Sequence, residues 1–560
     1  MQSLPHLAAA LTLLLGSSRA AAQAIHTFSG TLPGDRLGWS LAGLGDLDGD
    51  GVPDLALGVP FAPAGSVQAG SAELRSGAHG ALLRTIDGDA ALDHAGWSLA
   101  ALGDLDGDGR GELAVGVPDS DLASKDAGLV RVVSAATGTP LRSHLGAAPG
   151  ESFGYAVASA GDVDGDGLAD LLIGAWRADG QGAATGRVEL RSGGSGALLR
   201  QHAGSAAGDR FGIAVAGLGD LDGDSRSDYA VGAEQDGAGP GYVCIYSGLS
   251  GSLLRTHIGS ASGDALGAAL AGLGDVDGDQ RPDYAIGAPR ALAAAGAVRI
   301  VSGASGVLLR TLQGSGPGVE LGRALAGGLD LDGDNSADVL VGAPLDAGGK
   351  GAAHVFAGAT GTLLSTWTGS AGGDRFGQAV AAVGDLDQNG DPDLALGSPR
   401  EDLAAIDAGV ARIFSGAHLC LPVTYCTAKP NSRGCMPSVS WDGSPTLSGP
   451  DDFVVRATQV LSKKPGVMFY AHAPSALPVL GGWLCVAPPL LRSPPLFSAG
   501  NPPPEDCSGI LSFALTHAFF AAKGWSAGTT VCAQFWSRDP AHPDGTGVSL
   551  SDALRFVVCP

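Results

Sequence analysis

The segment GDLDGDGVPDLALGVP, residues 45–60, places four aspartates within nine positions, directly before a run of apolar residues. Carboxylates a few Å apart raise one another's pKa, so such a cluster destabilises a fold unless a cation lies among them. Carboxylate oxygens are hard donors that suit Ca²⁺, whereas zinc and copper prefer nitrogen and sulfur. The segment therefore predicts a calcium site.

The same cluster recurs seven times, beginning at Asp46, Asp104, Asp162, Asp220, Asp275, Asp330 and Asp385. Written as D-x-D-x-D-G-x-x-D, each loop offers side-chain oxygens at positions 1, 3, 5 and 9 and a backbone carbonyl at position 7. An EF-hand needs an acidic residue at position 12 and flanking helices, but position 12 is apolar here. A calcium-binding β-hairpin loop fits the pattern better.

The candidate ligands occupy these five positions in every loop, and up to seven Ca²⁺ ions are expected. They are Asp46, Asp48, Asp50, Val52 and Asp54; Asp104, Asp106, Asp108, Arg110 and Glu112; Asp162, Asp164, Asp166, Leu168 and Asp170; Asp220, Asp222, Asp224, Arg226 and Asp228; Asp275, Asp277, Asp279, Arg281 and Asp283; Asp330, Asp332, Asp334, Ser336 and Asp338; and Asp385, Asp387, Asn389, Asp391 and Asp393.

Four loops depart from the pattern. Asn389 replaces an aspartate in the seventh loop, which weakens its charge. Ser225, Gln280 and Asn335 stand where glycine would ease a positive φ in the fourth, fifth and sixth loops. The alternative interpretation of any single loop is a solvated surface turn rich in Asp and Gly, and the repetition at fixed spacing is what favours metal binding.

The loops are spaced by 58 residues in the first three steps and by 55 in the last three, so they mark a structural repeat. Each repeat alternates apolar residues in short runs separated by Gly, Asp, Ser and Pro, which is typical of strands and turns. Four strands per repeat and seven repeats predict an all-β, seven-bladed β-propeller with calcium-binding hairpin loops, because radial closure leaves few exposed sheet edges.

The ends of the repeat array predict how the ring closes. The seventh repeat lacks the outer LLRT-type strand that the others have, and an orphan strand of matching type, AIHTFSG, occupies residues 24–30. We expect this N-terminal strand to complete the last blade, so that the propeller covers residues 24–417.

Two short motifs carry a resemblance to a known family. The pair FG, as in Phe153-Gly154 and Phe211-Gly212, and the triplet GAP, as in Gly287-Ala288-Pro289, flank the acidic loops. This arrangement resembles the FG-GAP repeat of integrin α-subunit propellers over about 70% of the chain. The resemblance implies a propeller that binds partners, with structural calcium loops on the face away from the ligand, and it says little about the ligand itself.

The face opposite the acidic loops is the expected ligand face. Six acids stand three residues before the FG glycine: Asp35, Asp93, Glu151, Asp209, Asp264 and Asp374. They are interpreted first as turn-forming acceptors and only second as a cation-binding ring. His144, His202 and His257 fall in one outer-strand column and are expected to pack there. No catalytic constellation recurs at matched positions, so we expect a protein that is not an enzyme.

The two ends of the chain differ from the repeats. Residues 1–24 have the short apolar core and small residues of a secretory signal peptide, and no other stretch is long and apolar enough for a transmembrane helix. Residues 418–560 are rich in Cys, Pro and aromatic residues, which predicts a small β-sandwich-like domain with about three disulfides among seven cysteines. Cys244 is expected to face solvent, and a bond from it to this domain is an open hypothesis.

The formal net charge of −24 argues against a nucleic-acid partner, because phosphate contacts require clustered Lys and Arg. The leading expectation is an exported, calcium-stabilised adhesion or ligand-binding scaffold at or outside the cell surface, with an unidentified surface polysaccharide or protein as its ligand. The alternatives are a structural envelope protein without a specific ligand and a calcium-dependent polysaccharide hydrolase or lyase.

Overall fold

The computed structural model describes residues 24–558 apart from 64–66, 237–238, 335, 417–422, 444, 448–450, 503, 505 and 527–528. The expected signal peptide lies outside the described residues except for Ala24, as do Cys420 and Cys559. The predicted boundary between the propeller and the C-terminal domain falls at residues 417 and 418, which are also outside them, and it stays a prediction.

The first 28 strands form seven four-stranded antiparallel sheets, which confirms the prediction of a seven-bladed β-propeller. After β1 (Ala24–Ser29), the first six sheets follow the chain: β2 (Leu41–Gly43), β3 (Leu55–Val59), β4 (Ser71–Arg75) and β5 (Leu82–Asp87); β6 (Ser98–Gly103), β7 (Glu112–Val117), β8 (Leu129–Ser134) and β9 (Pro140–Leu145); β10 (Ala156–Gly161), β11 (Asp170–Ala175), β12 (Arg187–Arg191) and β13 (Leu198–Ala203); β14 (Phe211–Gly219), β15 (Asp228–Ala233), β16 (Tyr242–Tyr246) and β17 (Leu253–Ile258); β18 (Ala269–Gly274), β19 (Asp283–Ala288), β20 (Ala297–Val301) and β21 (Leu308–Gln313); and β22 (Ala324–Leu329), β23 (Asp338–Ala343), β24 (Ala352–Phe356) and β25 (Leu363–Thr368). Two four-residue helices, α1 (Ala291–Ala294) and α2 (Asp346–Gly349), lie in the loops after β19 and β23.

The seventh sheet combines both ends of the repeat array. Its strands are β26 (Ala379–Ala382), β27 (Leu394–Ser398) and β28 (Val410–Phe414), and the outer edge of β28 pairs antiparallel with β1. Phe28 of β1 is 7% exposed and occupies the column that Ile86 fills in the first sheet. The N-terminal strand thus joins the last blade to the first, and β26 contacts β2 across the same junction.

The first strand of each blade is built from small residues because these strands crowd around the axis. A Cβ atom at Gly217 would lie 2.4 Å from the carbonyl oxygen of Ser159 in the preceding blade. The second strands are buried along their whole length, as in β15 and β19, because the neighbouring blades cover both of their faces. The hydrophobic core therefore lies between blades.

The remaining strands form a separate all-β unit. They are β29 (Val423–Tyr425), β30 (Ser438–Asp442), β31 (Val454–Val460), β32 (Pro465–Ala471), β33 (Pro474–Val479), β34 (Gly482–Val486), β35 (Leu491–Arg492), β36 (Leu496–Phe497), β37 (Gly509–Ala514), β38 (Thr530–Arg538) and β39 (Val548–Val557), with helix α3 (His517–Lys523). A six-stranded sheet containing β32, β38 and β39 and a three-stranded sheet of β30, β31 and β37 share one core that includes Val455, Met468 and Phe535. This arrangement confirms the sandwich-like prediction.

Disulfides Cys426–Cys485 and Cys435–Cys507 stabilise this unit. Cys244 and Cys532 are free and buried. The prediction that Cys244 faces solvent is wrong, since only 8% of it is exposed and it packs beside Tyr242 and Tyr246 of its own strand. The free Cys244 thiol also contradicts the hypothesis of a bond to the C-terminal domain. Comparison of the repeats placed Cys244 on the strand face that carries charged residues in other blades, but it could not show that aromatic side chains cover this face.

Candidate metal centres and the opposite face

The acidic loops all lie between the first and second strands of their blades, at one face of the propeller. In at least five of them the structure brings three carboxylates together so that their oxygens lie within 4.8 Å of one another; these are Asp46, Asp48 and Asp50; Asp104, Asp106 and Asp108; Asp162, Asp164 and Asp170; Asp220, Asp222 and Asp228; and Asp275, Asp277 and Asp279. Such all-oxygen groups fit Ca²⁺ and not the softer transition metals.

The first aspartate of each loop shapes the turn. In the first loop, Asp46 accepts the backbone N–H of Gly49 at 2.6 Å and that of Gly51 at 2.9 Å. In the seventh loop, Gly390 donates to Asp385 at 2.7 Å as Gly51 does to Asp46, and Asn389 donates to Asp385 at 3.0 Å as Asp50 does to Asp46 at 3.2 Å. The loops thus hold a shared geometry, and the departure at Asn389 does not change it.

The last acid of each loop is an anchor inside the blade. Asp54 is fully buried and accepts the backbone N–H of Leu47 at 2.7 Å and that of Gly77 at 2.9 Å. Asp228 does the same with Leu221 and Gly248, both at 2.9 Å. Glu112 is the exception, because its Oε1 atom is buried without a hydrogen-bond partner among the described residues.

Burial of these anchoring acids raises their pKa. Desolvation is the main cause in each case, and the neighbouring loop aspartates add to it. The pKa rises to about 7 for Glu112, about 6 for Asp228 and about 7 for Asp338. A divalent cation in the loop would favour the ionised carboxylates, so the donor set and its electrostatics both fit Ca²⁺.

Arginine side chains at position 7 of some loops bring positive charge to the loop of the preceding blade, which the sequence analysis did not predict. Arg110 of the second loop donates to the carbonyl oxygen of Asp46 in the first loop at 3.3 Å. Arg281 of the fifth loop lies 3.5 Å from the Asp220 carboxylate of the fourth. These residues were chosen for their backbone carbonyls, but their side chains reach the preceding blade. The signal was available in the sequence, because a basic residue recurs at one position of three loops.

Ser225 and Gln280 adopt the conformation for which glycine is suited. Both have a φ of +67°, and their N–H groups donate to Asp220 at 3.0 Å and to Asp275 at 2.8 Å, as Gly51 does to Asp46. The fourth and fifth loops therefore keep the geometry of the first at the expense of backbone strain. The sixth loop has Asn335 at this position, outside the described residues.

The sixth loop differs in its surroundings. Asp332 is half-buried, whereas its counterparts Asp48 and Asp106 are exposed. Burial and the charges of Asp334 and Asp330 raise the pKa of Asp332 to about 6, and Arg555 of β39 opposes that rise.

The opposite face, called the upper face below, carries the FG and GAP segments. The six acids before the FG glycines accept backbone N–H groups of their own turns; Asp35, for example, accepts from Leu32 at 2.7 Å, and Asp264 accepts from Ala261 at 2.8 Å. They are turn-forming residues, as the first interpretation has it. His202 and His257 each contact a buried tyrosine hydroxyl at 2.7 Å, so that histidine column packs between strands.

Sequence reasoning missed a different feature of the upper face. The residue after each FG-position glycine is Trp39, Trp97, Tyr155, Ile213, Ala268, Arg323 or Gln378. Three successive blades thus carry aromatic rings there, and Trp97 lies 4.7 Å from Trp39 and 5.4 Å from Tyr155 between ring centroids. Aligning the repeats by their glycines would have revealed this column.

None of the helices in the described part of the chain has the length and apolar character of a membrane-spanning segment.

Comparisons with known proteins agree with the repeat assignment. The FG-GAP repeat family matches residues 37–72, 95–133, 153–188, 321–356 and 376–414. Integrin alpha-PS2 of Drosophila melanogaster is 35% identical over 218 residues, which cover 35% of this chain and 15% of that protein. Integrin alpha-8 of Gallus gallus is 33% identical over 213 residues, 35% of this chain and 20% of the relative. Integrin alpha-V of Gallus gallus is 33% identical over 224 residues, 37% and 21% of the two chains.

The chain thus spans about a fifth or less of the length of these relatives. The stretches that the family model matches lie within the blades, where the acidic loops and the FG and GAP segments recur. The chain contains FG-GAP repeats, and its propeller is similar to those of integrin α-subunits.

Proposed function

We propose that this protein is an exported, calcium-stabilised β-propeller that acts as an adhesion or ligand-binding scaffold at or outside the cell surface. The observation that carries the proposal is that the two faces of the propeller hold different kinds of residues. One face holds the acidic loops, which anchor strands through buried acids such as Asp54. The upper face holds the variable loops and a row of half-buried aromatic side chains.

The acidic loops have a structural role in this proposal. Asp46, Asp48 and Asp50 would hold Ca²⁺ in the first loop together with the carbonyl of Val52 and with Asp54, and the corresponding residues would do so in the other loops. The ion supplies positive charge where carboxylates converge, and it joins the first strand of a blade to the second. Extracellular calcium modules bind at about 10⁻⁴ to 10⁻³ M, so calcium outside the cell would keep the blades folded.

Export is supported by the two disulfides of the C-terminal domain, because such bonds persist in oxidising compartments. The similarity to integrin α-subunits favours a binding role over catalysis. It covers a small part of those proteins, so it does not name the partner.

The test is a pull-down with the full mature chain against cell-surface polysaccharides and envelope proteins, in millimolar calcium and again in EDTA. Capture that requires calcium would support a calcium-dependent binding scaffold. A chain that is folded by circular dichroism and captures nothing in either condition would favour a structural role instead.

A further inference from the structure

The aromatic residues of the upper face form a continuous arc across the first three blades. The arc consists of Trp39, Phe61, Trp97, Tyr155 and Trp176, and all five side chains are half-buried. Consecutive ring centroids are close: Trp39–Phe61 at 5.7 Å, Trp39–Trp97 at 4.7 Å, Trp97–Tyr155 at 5.4 Å and Tyr155–Trp176 at 5.6 Å. Trp39, Trp97 and Tyr155 follow the FG glycine, Phe61 follows the GAP-type segment of its blade and Trp176 is the last residue of that segment in the third blade, so the repeat places the rings on one surface.

Arginines lie next to this arc, in positions that flank the FG and GAP segments. Arg36 and Arg375 precede the FG motifs of the first and seventh blades, Arg323 follows the FG-position glycine of the sixth, and Arg400 follows the GAP-type segment of the seventh. These four residues are called the arginine sector. Arg36 lies at the junction, since its guanidinium is 4.3 Å from the Phe61 ring centroid.

The repeat geometry explains why two arginines meet in the seventh blade. In the second blade the positions of Arg375 and Arg400 are filled by His94 and Asp119, whose side chains are 2.7 Å apart. In the fourth blade the first of these positions is Arg210, which pairs with Glu234 at 2.8 Å. The seventh blade therefore puts two positive charges at positions where the second blade pairs His94 with Asp119 and the first blade stacks Arg36 on Phe61.

No salt bridge compensates the arginine sector within the described part of the chain. Asp407 acts electrostatically on Arg36 and Glu320 on Arg375, and Arg400 lines one pocket with Asp374, Glu401, Asp402 and Asp407. Among the described residues, none of these acids forms an ion pair with an arginine of the sector. Burial and the charge of Arg400 lower the pKa of both Arg36 and Arg375. In a chain of net charge −24, a cluster of guanidinium groups that form no ion pair among the described residues is a candidate anion-binding feature.

Polar atoms without partners lie along the same surface. The Nε1 atom of Trp176, the Nε2 atom of His94 and the Oε1 atom of Gln378 are shielded from solvent and have no hydrogen-bond partner among the described residues. Buried polar groups normally find partners, and leaving one unpaired is unfavourable. Groups of this kind at both ends of the arc are consistent with a polar ligand that pairs with them.

We propose that the arginine sector and the aromatic arc together form the binding site for an anionic polysaccharide. The guanidinium groups of Arg36, Arg375 and Arg400 would bind carboxylate or sulfate groups in bidentate fashion. The apolar C–H faces of the sugar rings would pack on the half-exposed rings of the arc. This inference rests on the proposed binding function and adds its ligand class and its site.

A sugar polymer fits this surface better than an acidic peptide does. Aromatic rings follow one another along the arc at centroid distances of 4.7 to 5.7 Å, so successive rings of a sugar polymer can each place apolar C–H groups against one of them. An acidic peptide needs only the arginine sector and would leave the arc uncovered. The contribution of the arc therefore separates the two ligand classes.

The test measures binding of the full mature chain, in millimolar calcium, to hyaluronan as a uronate polymer, heparin as a sulfated polymer, dextran as a neutral polymer and poly-L-glutamate as an acidic peptide. We expect binding to hyaluronan, heparin or both, weakening at high salt, and no binding to dextran. Arg375→Ala combined with Arg400→Ala should weaken it on the order of 100-fold, because two charge-assisted contacts are lost. Trp97→Ala should weaken polysaccharide binding by roughly 10-fold and leave poly-L-glutamate unaffected.

The matched control is Arg131→Ala combined with Arg299→Ala, which removes the same charge from β8 and β20, the third strands of their blades, and should change binding less than about 3-fold. Failure of the wild-type chain to bind either anionic polysaccharide overturns the inference. The inference is also overturned if the Arg375→Ala, Arg400→Ala variant binds the polysaccharides as tightly as the wild-type chain. If this variant loses binding to poly-L-glutamate while Trp97→Ala leaves polysaccharide binding unchanged, the site binds an acidic peptide instead. If the pull-down captures a ligand that the Arg375→Ala, Arg400→Ala variant and the control variant bind equally well, the proposed scaffold function is supported and this assignment of its binding site is wrong.

Discussion

The buried carboxylate of Asp54 accepts the backbone N–H of Gly77 at 2.9 Å and so connects the first acidic loop to the turn between the third and fourth strands of the same blade. Asp170, Asp228, Asp283, Asp338 and Asp393 make the equivalent bond to a glycine of their own blades. The last acid of these six loops therefore has two roles, as a strand anchor and as a proposed calcium ligand, and these roles can be separated by mutation.

Asp228→Ala should destabilise the protein whether or not calcium is present. It removes the acceptor for the N–H groups of Leu221 and Gly248 inside the blade, and the loss should be about 3 to 5 kcal/mol in the free energy of unfolding. Asp222→Ala, at an exposed position of the same loop, should be nearly neutral in EDTA and lose stability only relative to the calcium-loaded protein. Urea unfolding with calcium and with EDTA measures both. Equal losses for Asp222→Ala in the two conditions would contradict its assignment as a ligand.

Ser225→Gly and Gln280→Gly should each stabilise the protein by about 1 kcal/mol, because both residues have a φ of +67°, which glycine adopts without strain. The reverse change, Gly51→Ser in the first loop, is the control. A Cβ atom at Gly51 would meet no atom within 4 Å, so the penalty there comes from the backbone alone. Thermal unfolding of the three variants measures the effect, and a lower melting temperature for Ser225→Gly would refute the explanation.

Acid should weaken the second blade through His144. Burial, and then the charges of Arg191 and Arg142, lower its pKa from 6.5 to about 4. The folded state thus binds fewer protons than the unfolded state between these values, so this stabilisation is present above pH 6.5 and is lost as the pH falls toward 4. The loss should reach roughly 2 kcal/mol at pH 5.

His144→Leu should remove this part of the pH dependence. Leucine already occupies the same column as Leu312 in the fifth blade, where it is 4% exposed. Urea unfolding between pH 7 and pH 4.5 should give a shallower decline for the variant than for the wild-type chain. Identical slopes would show that the His144 site takes up no proton on unfolding.

Removal of residues 24–30 should open the ring. This strand pairs with β28 from Phe414 to Val410 and buries Phe28. Its loss would leave the edge of β28 unpaired, and exposed edges promote association with other chains. A chain beginning at Thr31 should have a lower melting temperature and elute partly as oligomers in size-exclusion chromatography. Addition of the peptide AIHTFSG should restore the monomer, whereas a scrambled peptide should not.

Cys244 and Cys532 should resist alkylation in the native protein. Both are buried, and burial raises the pKa of each thiol, which lowers its thiolate fraction at neutral pH. Iodoacetamide labelling followed by peptide mass spectrometry should modify both residues only after denaturation. Rapid labelling of Cys244 in the folded chain would show that its strand is more accessible than the packing with Tyr242 and Tyr246 implies.

The sequence alone determined the architecture, because the information for a repeat protein is local and is stated seven times. Strand alternation, turn residues and the acidic loops recur at fixed spacing, and the missing outer strand of the seventh repeat matched an orphan strand at the N-terminus. The same repetition identified the candidate calcium ligands from Asp46 to Asp393 as one class of site.

Only the tertiary structure decided what each position contacts across blades. Arg281 reaches the Asp220 carboxylate of the preceding blade, and Cys244 is covered by neighbouring aromatic side chains. The arginine sector and the aromatic arc likewise combine residues that are separated by hundreds of positions in the chain. Local pattern specifies which side of a strand a residue occupies, whereas its burial and its partners depend on side chains that only closure of the ring brings together.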